Sequence, residues 1–287
     1  MPESRRLHWK EGRSAYELGR EWTINGVPAT PGCVDELLNS HSATRCSVLD
    51  RGVTEFETPL PFGSRGARCH DLVLWGARGD SRLLVCVEAK ADEPFGGDVA
   101  AELQNARKRP VTRFPDRLAW LTACLLGIPA FVDTRQQVLN PQIANLPYQL
   151  LTAVAGTLLE ADRQRVDAAV LLIHEFRTHL TSDENLAQNA RCLDEFLRTF
   201  LPAQQYAGSE CSLDSAQMLG PIQLHPARPG VRPGFPTRIP LFLGKIRTDR
   251  MAGSLNGLTR ETIAKSERGE EVRSAKDAEE LFDELGI

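Results

Sequence analysis

The fold of this chain is decided by a hairpin-like stretch in its first third: HDLVLW (70–75), the polar turn GARGDS (76–81) and LLVCVEAK (83–90). Residues two apart in a strand point to the same face of a sheet, so Glu88 and Lys90 share one side. Gly-Asp is a favoured centre for a two-residue hairpin turn. A turn centred on Gly79-Asp80 therefore predicts that Asp71 faces Glu88 across the ladder. Two carboxylates and an ammonium on one patch are typical of a divalent-cation site.

The order Asp, long gap, Glu-x-Lys resembles the PD-(D/E)xK nuclease superfamily, with Asp71, Glu88 and Lys90 as the matching residues. The string VEAKADEPFG (87–96) is more specific, and is similar to one uncharacterised bacterial branch in which E-x-K-x-D-E-P-F-G follows the third core strand. Further segments that resemble this branch are HWK (8–10), SAYEL (14–18) and YQLL (148–151). The resemblance spans about the first four fifths of the chain.

The resemblance implies hydrolysis of phosphodiester bonds. That reaction needs a nucleophilic water, relief of negative charge at phosphorus and help for the leaving oxygen, and a hard divalent cation supplies much of this. Asp71 and Glu88 are expected to hold Mg²⁺ (or Mn²⁺), with the Ala89 carbonyl as a third ligand. Lys90 is expected to orient or deprotonate the attacking water, which requires its pKa to fall.

Three further residues are expected to lie at this site. A Glu on the first helix often adds a water-mediated metal contact in the superfamily, and Glu36 is the matching residue here. Gln149, in the first turn of the predicted crossover helix, is expected to contact the water or a phosphate. His70 either does the same or fixes Asp71.

A structural interpretation of the same residues stays open on the sequence alone. Asp71 then caps the start of a strand, and Glu88 and Lys90 form an ordinary ion pair where a strand leaves the core. Asp92 and Glu93 either extend the acidic site or belong to the turn that ends the strand.

Composition places the chain among ordinary globular proteins. Its 287 residues are 41% hydrophobic and 25% charged, enough for one large domain or two small ones. No apolar run is long enough to span a bilayer, and the polar N-terminus lacks a secretory h-region. Seven scattered cysteines without a C-x-x-C pair indicate reduced thiols. The sequence therefore predicts a cytoplasmic protein without a membrane partner.

Charge is unevenly distributed. A net charge of −4 argues against a blanket affinity for nucleic acid. Basic residues nevertheless cluster along the chain. A first cluster is predicted to bind nucleic acid and consists of Arg107, Lys108, Arg109 and Arg113. The alternative is that these side chains form an ordinary solvated surface. A second basic stretch covers 228–250. DNA is the favoured nucleic acid, and a homodimer is compatible with the resemblance because many enzymes of that superfamily pair to cut both strands.

Hydrophobic periodicity and turn residues predict an α/β protein. The predicted helices are 10–25, 33–38, 98–108, 116–126, 147–165 and 184–200. The predicted strands are 46–49, 53–56, the two of the hairpin, 168–173 and 239–246. This order predicts a restriction-endonuclease-like αβββαβ core over 1–247, with a mixed central sheet flanked by helices. About three helical segments fall where that core has one crossover helix, and we interpret the excess as a helical insertion. Segment 202–240 has no assignment.

The remaining segment, 248–287, is predicted to be a helical acidic tail. Its part from 255 onwards holds nine acidic and five basic residues. It resembles the C-terminal part of RelB/DinJ-type antitoxins through Ser274, Glu279, Glu280, Leu281, Phe282 and Leu285. The resemblance implies that 255–287 binds a protein partner. The alternative is an amphipathic helix that docks on its own domain.

The sequence thus predicts a metal-dependent nuclease that acts through Asp71, Glu88 and Lys90. Two alternatives from other classes remain. One is a catalytically inactive nuclease-fold module that binds nucleic acid or protein, and the other is an interaction protein that acts through its tail.

Overall fold

Helices and strands alternate along the described part of the chain. The computed structural model describes residues 10–24, 27–62, 67–201, 217–222, 224, 235–236 and 238–250. The helices are α1 Ser14–Glu21, α2 Gly32–Asn39, α3 Val99–Arg107, α4 Phe114–Leu125, α5 Tyr148–Gln164 and α6 Asp183–Phe200, with a 3₁₀ turn at Pro141–Ile143. The strands are β1 Thr23–Ile24, β2 Val27–Pro28, β3 Val48–Pro59, β4 Ala67–Arg78, β5 Ser81–Lys90, β6 Phe131–Asp133, β7 Val138–Leu139, β8 Ala168–Thr178, β9 Gln217–Ile222 and β10 Leu241–Arg250.

A six-stranded mixed sheet forms the centre, in the order β3-β4-β5-β8-β10-β9. Its first three strands are antiparallel neighbours, whereas β5 and β8 run parallel. Parallel neighbours need a long crossover connection, and here α3, α4 and α5 supply it. The predicted α/β class with a mixed central sheet flanked by helices is confirmed, and so is the presence of three helices between β5 and β8.

The predicted hairpin register is confirmed. Arg78 pairs with Ser81 around the Gly79-Asp80 turn, and the ladder runs on to the pair of Leu72 and Val87. It ends one residue short of Asp71 and Glu88. There the Asp71 carboxylate accepts the Ala89 N–H at 2.7 Å, so a side chain replaces the next backbone contact between β4 and β5.

Two apolar layers cover the sheet, and β5 divides its side chains between them. Leu84 and Cys86 pack with α3, α4, α5 and α6 on one side, which we call the α5 face. Val85 and Val87 pack with α1 and α2 on the other side, the α1 face. Strand alternation from Cys86 therefore places Glu88 and Lys90 on the α5 face.

Strand β4 changes phase near Asp71. Leu72 and Leu74 pack on the α1 face, whereas Arg68 and His70 lie against Gly156 of α5. Simple alternation would put all four on one side. Glu55, which lies opposite Asp71 on β3, has a φ of 52°. The β3–β4 ladder has no pair of Glu55 and Asp71 at this point, and beyond it Arg68 lies beneath α5.

Gly156 sets how closely α5 approaches β4. A Cβ at this position would lie 2.8 Å from His70 Nε2 and 2.9 Å from Arg68 Cγ. We expect Gly156→Ala to lower the free energy of unfolding by up to about 2 kcal/mol, because overpacking costs about 1–3 kcal/mol and the gain in helix propensity offsets about 1 kcal/mol of this cost. Urea denaturation measures this. Gly32→Ala is the control, because a Cβ there meets nothing within 4 Å; equal stability of the two variants would contradict the close approach.

Some sequence expectations need correction. The strands predicted at 46–49 and 53–56 are one strand, β3, whose register shift between Leu49 and Arg51 disrupts the apolar alternation. The unassigned segment 202–240 contains β9. The two small hairpins β1-β2 and β6-β7 were not predicted. The helix predicted at 98–108 is α3, and Asp98 caps it, since its side chain accepts the Ala101 N–H at 2.7 Å.

The predicted tail lies mostly outside the described residues. Positions 248–250 are the end of β10. The helices and the antitoxin-like residues of 255–287 fall on the part that the structure does not describe. Among the helices that it does describe, none is long and apolar enough to cross a membrane.

Candidate functional site

Polar side chains meet on the α5 face where β5 ends. Glu88 is the centre, and its Oε1 lies 2.6 Å from Lys90 Nζ and accepts the Gln149 Nε2–H at 2.6 Å. Gln149 reaches it because the first turn of α5 begins directly above the end of β5. Asp71 borders the group through its hydrogen bond to Ala89. The structure therefore brings together Asp71, Glu88, Lys90 and Gln149, as the sequence predicted.

Arg68 is a member of this group that the sequence interpretation missed. Its guanidinium forms an ion pair with the other carboxylate oxygen of Glu88, Oε2. Both side chains are almost completely withdrawn from solvent, at 9% and 1% exposure. A prediction that started β4 upstream of His70 would have included Arg68 in the strand. Regular alternation, however, would have put Arg68 on the α1 face.

The charges in the group balance. Asp71 and Glu88 carry two negative charges, and Arg68 and Lys90 carry two positive ones. Buried charges are tolerated only when they are paired and hydrogen-bonded, and Glu88 meets this requirement through three partners. Asp71 is partly exposed and forms the boundary of the group towards solvent.

Burial shifts the protonation equilibria of these residues. It lowers the pKa of Lys90 to about 8, with Arg68 acting in the same direction and Asp71 and Glu93 against it. Burial also raises the pKa of Asp71, although the positive charges of Lys90 and Arg68 and the Ala89 N–H oppose this. A lysine with a pKa near 8 has an appreciable neutral fraction close to neutral pH, which a general base requires.

His70 does not take either role expected of it. Its ring is fully buried against α5, with Nε2 directed at Gly156. Burial and the nearby Arg68 lower its pKa to about 3, so the ring is neutral at physiological pH. No described contact joins it to Asp71. The phase change in β4 is the reason, because it turns His70 under the helix.

Glu36 is not brought to the group. It is exposed on α2, which packs on the α1 face of the sheet, whereas Glu88 points to the α5 face. The first described helix is instead α1, and its buried glutamate is Glu17, which accepts the Gly12 N–H at 3.0 Å. The sequence prediction counted helices incorrectly, since its helix 10–25 already contained this residue.

Asp92 and Glu93, the two acidic residues that follow β5, stabilise the turn after this strand through hydrogen bonds. Asp92 accepts the Ser182 N–H at 2.8 Å and a hydrogen bond from the Asn185 amide. Glu93 accepts the N–H groups of Ala91 and Ser14. These bonds attach the segment after β5 to α6 and α1, which favours the structural interpretation of both residues.

The first basic cluster lies on the surface around the end of α3 and the start of α4. Its exposed members are Arg107, Lys108, Arg109 and Arg113. Arg107 donates to the Gln137 carbonyl, Lys108 to Asn105 and Arg113 to Asp116. None of these described contacts involves the Glu88 group.

The oxygen ligands at this site suit a small hard cation. Across the described ranges, no group of three or more His, Cys, Asp or Glu side chains could hold a metal ion. Mg²⁺ does not require such a group, because it is usually bound by one or two carboxylates together with water and substrate phosphates. Asp71, Glu88 and the Ala89 carbonyl match this preference. Two cations compete with a metal for Glu88, namely Arg68 at Oε2 and Lys90 at Oε1.

Comparison with known proteins gives one family. A family model described as a domain of unknown function, DUF6946, matches residues 2–249. The chain therefore belongs to the DUF6946 family. No curated protein and no solved structure matches it.

Proposed function

We propose that this member of the DUF6946 family hydrolyses phosphodiester bonds of nucleic acid with the help of Mg²⁺ or Mn²⁺. One observation carries the proposal. Asp71, Glu88, Lys90 and Gln149 come from two strands and a helix, yet they converge at the point where β4 and β5 separate. The PD-(D/E)xK superfamily, which the sequence resembles, uses this residue pattern for such chemistry.

Each residue of the group has a distinct role in this proposal. Asp71 and Glu88, with the Ala89 carbonyl, would hold the cation, which when bound relieves negative charge at phosphorus and lowers the pKa of water. Lys90, with its pKa near 8, takes a proton from the attacking water or orients that water. Gln149 keeps the Glu88 carboxylate in place through Oε1.

Arg68 has to release Glu88 before a cation can bind there. Its guanidinium then remains beside the site as a fixed positive charge with several N–H donors. Such a group stabilises the charge that develops on a phosphate in the transition state. Arg68 thus neutralises Glu88 when the site is empty and faces the substrate when it is filled.

A second candidate function is a nucleic-acid-binding module without catalysis. The observation that favours it is the charge balance, since Arg68 and Lys90 already neutralise Asp71 and Glu88 without a metal. The exposed fraction of Glu88 is only 1%, which limits access of a hydrated cation.

Cleavage assays distinguish the two candidates. Plasmid, linear duplex, single-stranded DNA and RNA are incubated with Mg²⁺ or Mn²⁺ and with wild type, Asp71→Asn or Asp80→Asn. Asp80 is the control because it is exposed in the hairpin turn, at the opposite end of β4 and β5 from Asp71 and Glu88. We expect metal-dependent cleavage by wild type and Asp80→Asn and at least a hundredfold loss in Asp71→Asn. No cleavage by folded wild type, or equal cleavage by Asp71→Asn, would contradict the nuclease proposal.

A further inference from the structure

A second group of charged side chains continues from Lys90 across the α5 face. Lys90 on β5 is the direct neighbour of Glu175 on β8 in the parallel register, so both point to the same side. Glu175 Oε2 lies 3.5 Å from Lys245 Nζ and 2.7 Å from Arg247 Nη2, both on β10. A charged row therefore crosses three neighbouring strands.

This second group has a surplus of positive charge. Glu175 and Lys245 are 2% and 4% exposed, whereas Arg247 is 29% exposed. One carboxylate cannot neutralise two cations. The buried ammonium of Lys245 already offsets the negative charge of Glu175. The unbalanced charge therefore lies at Arg247, the member that reaches solvent.

The guanidinium of Arg247 is fixed in orientation. Both Nε and Nη2 lie 2.7 Å from the same oxygen of Glu175. Within the described residues, Nη1 has no observed hydrogen bond or ion pair. An arginine held in this way has lost its side-chain freedom before a ligand arrives, and its remaining N–H groups match the geometry of a phosphate.

We propose that Arg247, held by Glu175 and backed by Lys245, binds a backbone phosphate next to the one that is cut. The inference rests on the proposed function, since it takes the substrate to be a nucleic-acid strand. Two strand spacings, about 10 Å, separate β5 from β10, so a strand held at Lys90 extends naturally towards Arg247. The contact is to the backbone and carries no sequence preference.

Fluorescence anisotropy with chelated metal tests this site independently of cleavage. The probes are fluorescein-labelled single-stranded and duplex oligonucleotides of mixed sequence, as DNA and as RNA. We expect Arg247→Gln to weaken binding about three- to tenfold at low salt and to reduce the slope of log K against log salt by about 0.7–0.9. Arg247→Lys keeps the charge, so it should keep the salt slope and lose only part of the affinity.

Arg163→Gln is the matched control. Arg163 is 50% exposed and also pairs with a buried glutamate, Glu160, at 3.3 Å, but near the C-terminal end of α5. It should bind the oligonucleotides as wild type does, and circular dichroism verifies that all variants are folded.

The outcomes separate this inference from the proposed function. Equal affinity and equal salt slope for wild type and Arg247→Gln would overturn the phosphate site even if the protein cleaves nucleic acid. Weakened binding by Arg247→Gln, in a protein that does not cleave, would support the phosphate site and overturn the nuclease proposal. No binding of any probe by wild type would overturn both.

Discussion

Replacing Lys90 with alanine is expected to lower the rate of phosphodiester cleavage by about a hundredfold to ten-thousandfold, the range for loss of a general acid–base group. Among the described residues around Glu88, Lys90 combines a positive charge with a pKa low enough for proton transfer near neutrality. Lys10→Ala is the control, because Lys10 is exposed and its only described contact is made by its backbone carbonyl, which accepts the Arg13 N–H. Its cleavage rate should equal that of wild type.

The pH profile gives this prediction a second readout. In the proposed mechanism the neutral form of Lys90 is the base, and its population grows as pH rises through about 8. Wild-type cleavage should therefore accelerate from neutral pH and level off above the pKa of Lys90, whereas the residual rate of Lys90→Ala should not show this step. A wild-type rate and profile in Lys90→Ala would show that the lysine only balances the charge of Glu88.

Removing the Glu88 carboxylate is expected to have the largest effect on stability. Glu88→Ala leaves Arg68 and Lys90 as buried cations without their common partner. Breaking a buried ion pair from one side costs about 3–5 kcal/mol in the free energy of unfolding. Urea denaturation followed by circular dichroism measures the loss.

Two variants control for this effect. Asp162→Ala removes an exposed ion pair, to Arg238 at 2.7 Å, and should cost less than about 1 kcal/mol. Combining Glu88→Gln with Arg68→Met removes charge from both sides and should recover part of the stability lost in Glu88→Ala. A loss in Glu88→Ala no larger than that in Asp162→Ala would show that the group is more hydrated than its burial indicates.

The central hairpin and its site residues could be predicted because the information is local. A two-residue turn fixes the register of both strands, and alternation then assigns Glu88 and Lys90 to one face. Gln149 was also predictable, since the apolar periodicity of α5 identifies its first turn. Glu88, Lys90 and Gln149 thus depend on short-range rules, which hold along β5 and in the first turn of α5.

Arg68 and the Glu175 group depend on information that the local sequence does not contain. Arg68 reaches Glu88 only because β4 changes phase near Asp71, and an isolated strand pattern predicts the opposite face. Arg247 meets Glu175 only because β10 lies beside β8 in the sheet. The order of distant strands follows from tertiary packing, so spacing in the sequence does not reveal it.

Binding of a divalent cation tests the central claim most directly, because it separates a metal site from a purely structural ion network. Isothermal titration calorimetry with MgCl₂ or MnCl₂ is performed on wild type, Asp71→Asn and Arg68→Met, with saturating oligonucleotide present to supply phosphate ligands. We predict that wild type binds a cation, that Asp71→Asn does not, and that Arg68→Met binds it more tightly because the competing guanidinium is gone. Folded wild type that binds no cation, or binding that is unchanged in Asp71→Asn, would contradict the account.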